Sequence, residues 1–213
     1  MARLLGVKQC LVFAEEGDAK ITTEFGENIH DYPTPGKIGN HNGLDMVRCT
    51  DGKTSELAHI CAIADGTIYA QRKWVKGFDK IYSGGNCVYI LHDDGVTISK
   101  YMHMKYGTVS DWVCDGARVS KGDILGYMGS TGLSYGDHLH LQIEKLDTPP
   151  ETITPSIKGT PVDPEPYLLG EIVIGKKPEY YVKIGMFEDL EDAIDMQDSL
   201  RVLGTDSIIV EVE

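Results

Sequence analysis

No run of apolar residues in this sequence approaches the length of a membrane span, so insertion into a bilayer is not expected. A surplus of basic residues is also missing: the 213-residue chain carries a formal net charge of −13. That excludes nucleic acid as an expected partner, because phosphate binding needs a basic face. It also weighs against plain electrostatic adhesion to anionic membranes or anionic wall polymers. Cysteine pairs are absent. Cys10, Cys49, Cys61, Cys87 and Cys114 are odd in number, scattered and never in a C-x-x-C pair. This excludes a disulfide framework and a thiolate zinc site, and it predicts buried free thiols in a chain made in a reducing compartment. The first residues, MARLLGVKQCLVFAEEGD, do not make a signal peptide, because Lys8 and Gln9 interrupt the apolar run and no clean small-residue cleavage site follows. The expectation is synthesis in the cytoplasm, with any action outside requiring another way out. Finally, residues 1–146 show no long helical period.

What is present is turn chemistry. Twenty-four glycines and nine prolines punctuate short apolar runs, which predicts a mainly β body with antiparallel sheets. Residues 8–13 and 21–25 read as short strands, and residues 27–40 read as a loop rich in proline and glycine. Residues 57–70 read as strand, turn and strand about Asp65-Gly66. Residues 86–91 and 96–103 read as a β-hairpin, whose turn places His92 in solvent and whose far end carries Tyr101-Met102-His103. Lys121-Gly122-Asp123 reads as another hairpin-type turn, and residues 161–164 as a tail pinned to the domain. His30 and His59 have no local partner pattern and read as ordinary polar residues.

The pattern changes after a linker at 170–178. Residues 180–187 and 207–212 read as strands. Between them Leu190, Ala193, Met196, Leu200 and Leu203 fall at helical spacing, with Asp189 as N-cap and Gly204 at C′. The chain is thus expected to hold a domain at 1–169 and a small β-α-β unit at 179–213.

Three short patterns carry chemistry. In TGLSYGDHLHLQI, residues 131–143, a glycine-rich loop leads into a strand bearing His138 and His140. Side chains at i and i+2 of a strand share a face, so both imidazoles point one way while Leu139 and Leu141 point into the core. In HNGLD, His41 and Asp45 are both ordinary zinc ligands, and Gly43 lets the backbone turn tightly between them. The third pattern is Tyr101-x-His103. Taken singly, each is weak and is read as well by a polar turn or a solvent-facing strand.

Together, H-x-x-x-D, Y-x-H and H-x-H in this order resemble the lysostaphin and LytM family of zinc metalloendopeptidases, which cut the peptide part of peptidoglycan. ITTEFG, AIADGTIYA, GNCVYILHDDGVTISKYMHM, VSKGDILGYMGSTGLSYGDHLHLQI and PVDPEPYL extend the resemblance over roughly residues 20–168. It implies Zn2+ held by His41, Asp45 and His140, with His103 and His138 as the catalytic histidines. Two His and one Asp leave a fourth tetrahedral position open, the form of a catalytic site. The C-terminal unit resembles half of a SPOR domain, a module that binds glycan strands. Having one β-α-β copy where the module has two, it is expected to bind the wall, to form a homodimer through residues 179–213, or to pack on the first domain. The resemblance thus implies a peptidoglycan hydrolase, and the two-part layout fits a phage endolysin released onto the wall at lysis. The alternatives are a bacterial autolysin or division hydrolase, and a non-catalytic wall-binding module on a metallopeptidase fold.

Overall fold

The structure, a computed structural model, describes residues 2–30, 38–55 and 58–175. The chain divides into two compact units, Met1–Pro178 and Glu179–Glu213. The β-α-β pattern, SPOR resemblance and homodimer expected of the second unit fall outside the described residues.

The first unit is mainly β, as its composition predicts. Its strands are β1 (Arg3–Leu4), β2 (Asp18–Thr23), β3 (Asn28–His30), β4 (Ile38–Asn40), β5 (Leu44–Thr50), β6 (Lys53–Ser55) and β7 (His59–Cys61). There follow β8 (Gly66–Arg72), β9 (Asn86–His92), β10 (Thr97–Met104), β11 (Arg118–Val119), β12 (Ile124–Tyr127), β13 (Leu139–Lys145) and β14 (Thr160–Val162). A single helical turn, α1 (Glu165–Leu168), comes last. Among the described residues, no helix is long and apolar enough to cross a membrane. The main sheet runs β1-β2-β5-β13-β10-β9-β8-β11, with every ladder antiparallel. Two small sheets, β12-β7 and β3-β4, lie apart from it.

Alternation along β13 decides what each face of the main sheet does. Leu139, Leu141 and Ile143 point to one face and join Leu44, Met46, Val88, Ile90 and Tyr101 in the principal core. The even positions, His140, Gln142 and Glu144, point to the other face, yet are buried too. Part of that second face is closed by a smaller cluster around Tyr69, Leu91 and Ile98. The remaining part carries the histidines. The first half of β13 is bordered by β5 and the second half by β14, so residues 160–162 do pin the domain's end.

Several local readings need correcting. Residues 8–13 form isolated bridges to Gly17 and Ile60 and no ladder, although Cys10, Val12 and Phe13 are buried. The loop at 27–40 carries a short β3-β4 pair at its ends. Residues 57–70 are not a hairpin: β7 pairs with β12 while β8 pairs with β9 and β11. Likewise Lys121-Gly122-Asp123 joins β11 to β12, which belong to different sheets. These two crossings brace each other. Ala62 bonds both residues of the Gly122-Asp123 turn, through Ala62 N to Asp123 O and Gly122 N to Ala62 O, at 3.0 and 2.8 Å, and Asp65 Oδ1 accepts from Lys121 N at 2.8 Å.

His92 is no solvated turn residue. It closes β9, is only 2% exposed, and bonds Asp65 O at 3.0 Å and Ser99 Oγ at 2.8 Å. Burial pushes its pKa down, so it stays neutral inside the fold. Four cysteines are buried free thiols as expected, while Cys114 is exposed.

Candidate metal centre

Strands β5 and β13 lie side by side with Asp45 directly opposite His140. Because Leu44 and Met46 go to the core, Asp45 faces the same way as His140. His41 stands just ahead of β5, fixed by backbone bonds to Glu27 O and from Gly26 N, both 2.8 Å. Gly43 between them does have a reason to be glycine, but it is not a tight turn. A Cβ there would lie 2.3 Å from Leu141 O and 2.9 Å from His140 Nε2, so the close approach of β5 to β13 requires its absence. His138 enters from the glycine-rich loop, held by His138 N to Gly129 O at 3.1 Å, and sits on the same side as His140, as the strand argument predicts.

His103 arrives by a different route. In a regular strand it would share the face of Tyr101 and end in the core. Instead Tyr101 pairs with Val88 while Met104 pairs with Asn86, so one extra residue is inserted in β10. At this bulge His103 takes φ +61°, one of two described non-glycine residues with positive φ. Such a backbone costs about 1–3 kcal/mol and persists only when its surroundings over-determine it. Here the His103 N–H donates to Gly84 O at 3.0 Å and Met104 returns to the core. The bulge turns the imidazole out of the core and toward the other histidines.

The result brings all five sequence-predicted residues together. His41 Nε2 lies 2.9 Å from His140 Nδ1 and 3.1 Å from Asp45 Oδ1, and His140 Nδ1 lies 2.9 Å from the same oxygen. His138 Nε2 is 3.6 Å from Asp45 Oδ1. The His103 ring is centred 4.7 Å from that of His138 and 5.9 Å from that of His140.

Each ring has its second nitrogen occupied. His41 Nδ1 donates to Glu24 O at 3.0 Å, His103 Nδ1 to Thr131 O at 2.8 Å, and His138 Nδ1 to Gly136 O at 2.8 Å. A carbonyl only accepts, so in the neutral rings these contacts fix the tautomer and leave Nε2 with its lone pair. His140 is reversed: Nδ1 faces Asp45, and Nε2 faces Gln142 Oε1 at 3.5 Å. Gln142 Nε2 in turn donates to Glu144 Oε1 at 2.6 Å, and Lys100 Nζ to the same oxygen at 2.5 Å. The ligand strand thus carries a buried brace that sequence reading missed. Its trace is the polar alternation His138, His140, Gln142, Glu144.

The electrostatics fit a cation. Burial alone would push the Asp45 carboxyl up, but hydrogen bonds from His140 and His41 outweigh it and hold it well below the usual carboxylate range. For His41, burial pushes down and the Asp45 contact outweighs it, raising the pKa. His103 is pushed to about 3 by burial, then by the neighbouring His138 and His140. Because neutral His41 has spent its N–H on Glu24, two neutral imidazoles bring at most one hydrogen into the His41–Asp45–His140 triangle. A metal ion bound by all three atoms satisfies each lone pair, and two imidazole nitrogens with one carboxylate oxygen suit zinc. His41, Asp45 and His140 also form the group able to hold a metal among the described residues.

Residues 39–164 match the model of Peptidase family M23. The chain belongs to that family. Among its relatives, it is 35% identical over 111 residues to glycyl-glycine endopeptidase ALE-1 of Staphylococcus capitis, covering 52% of this chain and 26% of that protein. It is 32% identical over 111 residues to peptidoglycan DD-endopeptidase ShyC of Vibrio cholerae, covering 52% of this chain and 22% of that one. Among solved structures, the catalytic domain of lysostaphin from Staphylococcus simulans matches with 28% identity and a TM-score of 0.49, over 70% of this chain and 92% of that chain. The chain spans only 15–26% of the length of the curated relatives it matches. The family match encloses His41, Asp45, His103, His138 and His140.

Proposed function

We propose that this M23 protein is a zinc-dependent endopeptidase that hydrolyses peptide cross-links or stems of bacterial peptidoglycan. The observation that carries the reading is the convergence of His41 Nε2, Asp45 Oδ1 and His140 Nδ1 within 2.9–3.1 Å, with two further imidazoles beside them. His41, Asp45 and His140 would hold the zinc, which supplies Lewis acidity toward a water and a scissile carbonyl at neutral pH. The other two histidines do proton work. His103, held neutral by burial and by the neighbouring His138 and His140, with its Nδ1–H on Thr131 O, accepts a proton at Nε2. His138 is more open, with its side chain 18% exposed and Nε2 directed at Asp45, and the proton taken from the water at an imidazole Nε2 is the one returned to the leaving amine. Gln142, Glu144 and Lys100 keep the His140 ring in place.

The named relatives include a glycyl-glycine endopeptidase and a DD-endopeptidase, which act on different bonds, so the proposal stops at the peptide portion of the wall. Beyond this, we assign the protein to lysis of a host cell at the end of phage infection. Support comes from the separate unit at Glu179–Glu213, whose sequence resembles half of a wall-binding module. Mass spectrometry of fragments released from purified walls tests the activity. New amino termini within stems or cross-links, lost on chelation and regained with zinc, are expected. Cleavage of glycosidic bonds, or undiminished release from metal-free protein, would refute it.

A further inference from the structure

The acidic chain carries one conspicuous departure from its own charge. Residues 71–82, QRKWVKGFDKIY, hold four cationic side chains, Arg72, Lys73, Lys76 and Lys80, against one carboxylate, in a protein of net charge −13. Asp79, that carboxylate, is turned inward on its own loop, accepting from Ile81 N at 2.8 Å and Tyr82 N at 3.0 Å. Lys76 and Lys80 are exposed.

The same segment concentrates exposed aromatic surface. Phe78 is 51% exposed and packs 5.5 Å, centroid to centroid, from Tyr135, which is 80% exposed. Trp74 and Tyr82 form a second exposed pair at 4.5 Å, with the Arg72 guanidinium 4.8 Å from the Tyr82 ring. Exposed apolar surface grouped in this way marks an interaction site, whereas scattered single residues do not. Cations interleaved with it select an anionic occupant.

The segment is fastened to the histidine cluster. Gly132 N donates to Gly77 O at 2.9 Å, Asp79 N to Gly132 O at 2.8 Å, and Leu133 N to Ser83 O at 2.8 Å. Gly85 and Thr131 approach so closely that a Cβ at Gly85 would lie 2.2 Å from Thr131 O, the oxygen that holds His103. Tyr135 sits in the loop whose Gly136 O holds His138. The basic, aromatic segment is therefore a rigid rim continuous with the loop that positions both proton-handling histidines.

We infer that this rim, residues 72–82 with Tyr135, holds the glycan strand next to the peptide being cut, the Phe78–Tyr135 pair lying against sugar rings and Lys76 and Lys80 pairing with carboxylates of the attached peptides. The inference rests on the proposed action on peptidoglycan and adds the part of the substrate that is not cleaved. Sugar rings offer flat C–H faces to aromatic side chains, and the stem peptides on the same strand carry carboxylates. A ligand with both features at short spacing matches alternating rings and ammonium groups. It also explains how an acidic protein approaches an anionic polymer: the rim supplies a local positive field where the whole molecule has none.

The test uses full-length protein and two soluble probes: a cross-linked muropeptide bearing its disaccharides, and the same cross-linked peptide with the sugars removed. Hydrolysis is followed for native protein, for Phe78→Ala with Tyr135→Ala, and for Lys76→Glu with Lys80→Glu. All four side chains are exposed, so the fold is not at stake. The native protein is expected to show a KM roughly tenfold lower for the sugar-bearing probe, the margin one well-placed pair of aromatic contacts provides. The aromatic double variant loses that preference. The charge-reversed variant raises KM for the sugar-bearing probe and weakens the dependence of KM on salt. Bound metal stays at the native level in both. No preference in the native protein, or a preference kept by the aromatic variant, overturns the inference. Loss of kcat with unchanged KM does so too. Calorimetric binding of both probes to chelator-treated protein reads the rim without catalysis. Rim-dependent binding with no cleavage would then sink the proposed activity and leave the rim standing.

Discussion

Glu144 lies far from solvent and holds three donors at once, which makes Glu144→Ala a quantitative test of the brace behind the metal centre. Its side chain is fully buried, and the Lys100 side chain is 9% exposed. Glu144 Oε1 accepts from Lys100 Nζ and Gln142 Nε2, and Oε2 accepts from Gly159 N at 2.8 Å. Removing the carboxylate strands a buried ammonium whose other neighbour is the Tyr89 ring, 5.2 Å from Nζ. Breaking a buried pair from one side costs about 3–5 kcal/mol. Two further unsatisfied N–H groups add to this only in part, because water can follow the lost volume. Taking about 4 kcal/mol, and about 2–4 °C per kcal/mol for a domain of this size, the thermal midpoint should fall by about 8–16 °C. Lys100→Met with Glu144→Leu removes both charges and should recover most of that loss. It should not recover the metal site. Gln142 no longer has Glu144 to hold its amide, His140 is less well oriented, and metal affinity should drop by about 10- to 100-fold in single and double variants alike. Calorimetric melting and competition with a metal-binding dye measure the two quantities. A single variant melting within about 3 °C of native, or a double variant with native metal affinity, would refute the reasoning.

One zinc per chain is expected by elemental analysis, with His41→Ala and His140→Ala losing metal and activity together. His138→Ala should keep the metal and lose activity by about 10²–10⁴-fold; a metal-free His138→Ala protein would make it a ligand. Gly43→Ala forces β5 away from β13 and should cost about 1–3 kcal/mol together with metal binding, whereas native melting would show that the close approach is not needed. In chelated protein, His103 and His92 are held neutral by burial, so below pH 6.5 the unfolded chain binds protons that the native one refuses. Stability present above pH 6.5 is therefore lost as pH falls toward 3, at up to about 1.4 kcal/mol per pH unit from His103. His41, with its raised pKa, works in the opposite direction. His103→Asn should flatten the fall, and an unchanged slope would contradict the assignment. For the C-terminal unit, light scattering should find a dimer for the full chain and a monomer for a chain ending at Gly170; a monomeric full chain would refute dimerisation.

The face on which His140 lies was legible because β-strand alternation is a local property. His140 between Leu139 and Leu141 reads correctly from six residues, and the structure puts both leucines in the core. Other features depended on partners that no local window contains. That β7 pairs with β12 across some sixty residues is settled by how two sheet crossings brace each other, so the 57–70 hairpin was a reasonable reading of turn chemistry and wrong. His92 beside Asp93-Asp94-Gly95 looks like a turn, yet Ser99 and Asp65 reach it and bury it. His103 was found through its motif, while the bulge that aims it has no glycine to announce it.

The pairing of β5 with β13 joins residues 95 apart in sequence. Closing a loop of that length costs on the order of 4 kcal/mol of chain entropy before any contact rewards it. During synthesis, His41 and Asp45 emerge long before His140, and a growing chain offers a metal ion two ligands of the three. The peptidase can therefore become competent only after its central strands have met. A chain still lacking β13 is inert, and the rate at which metal is captured on refolding reports the closure of the sheet itself.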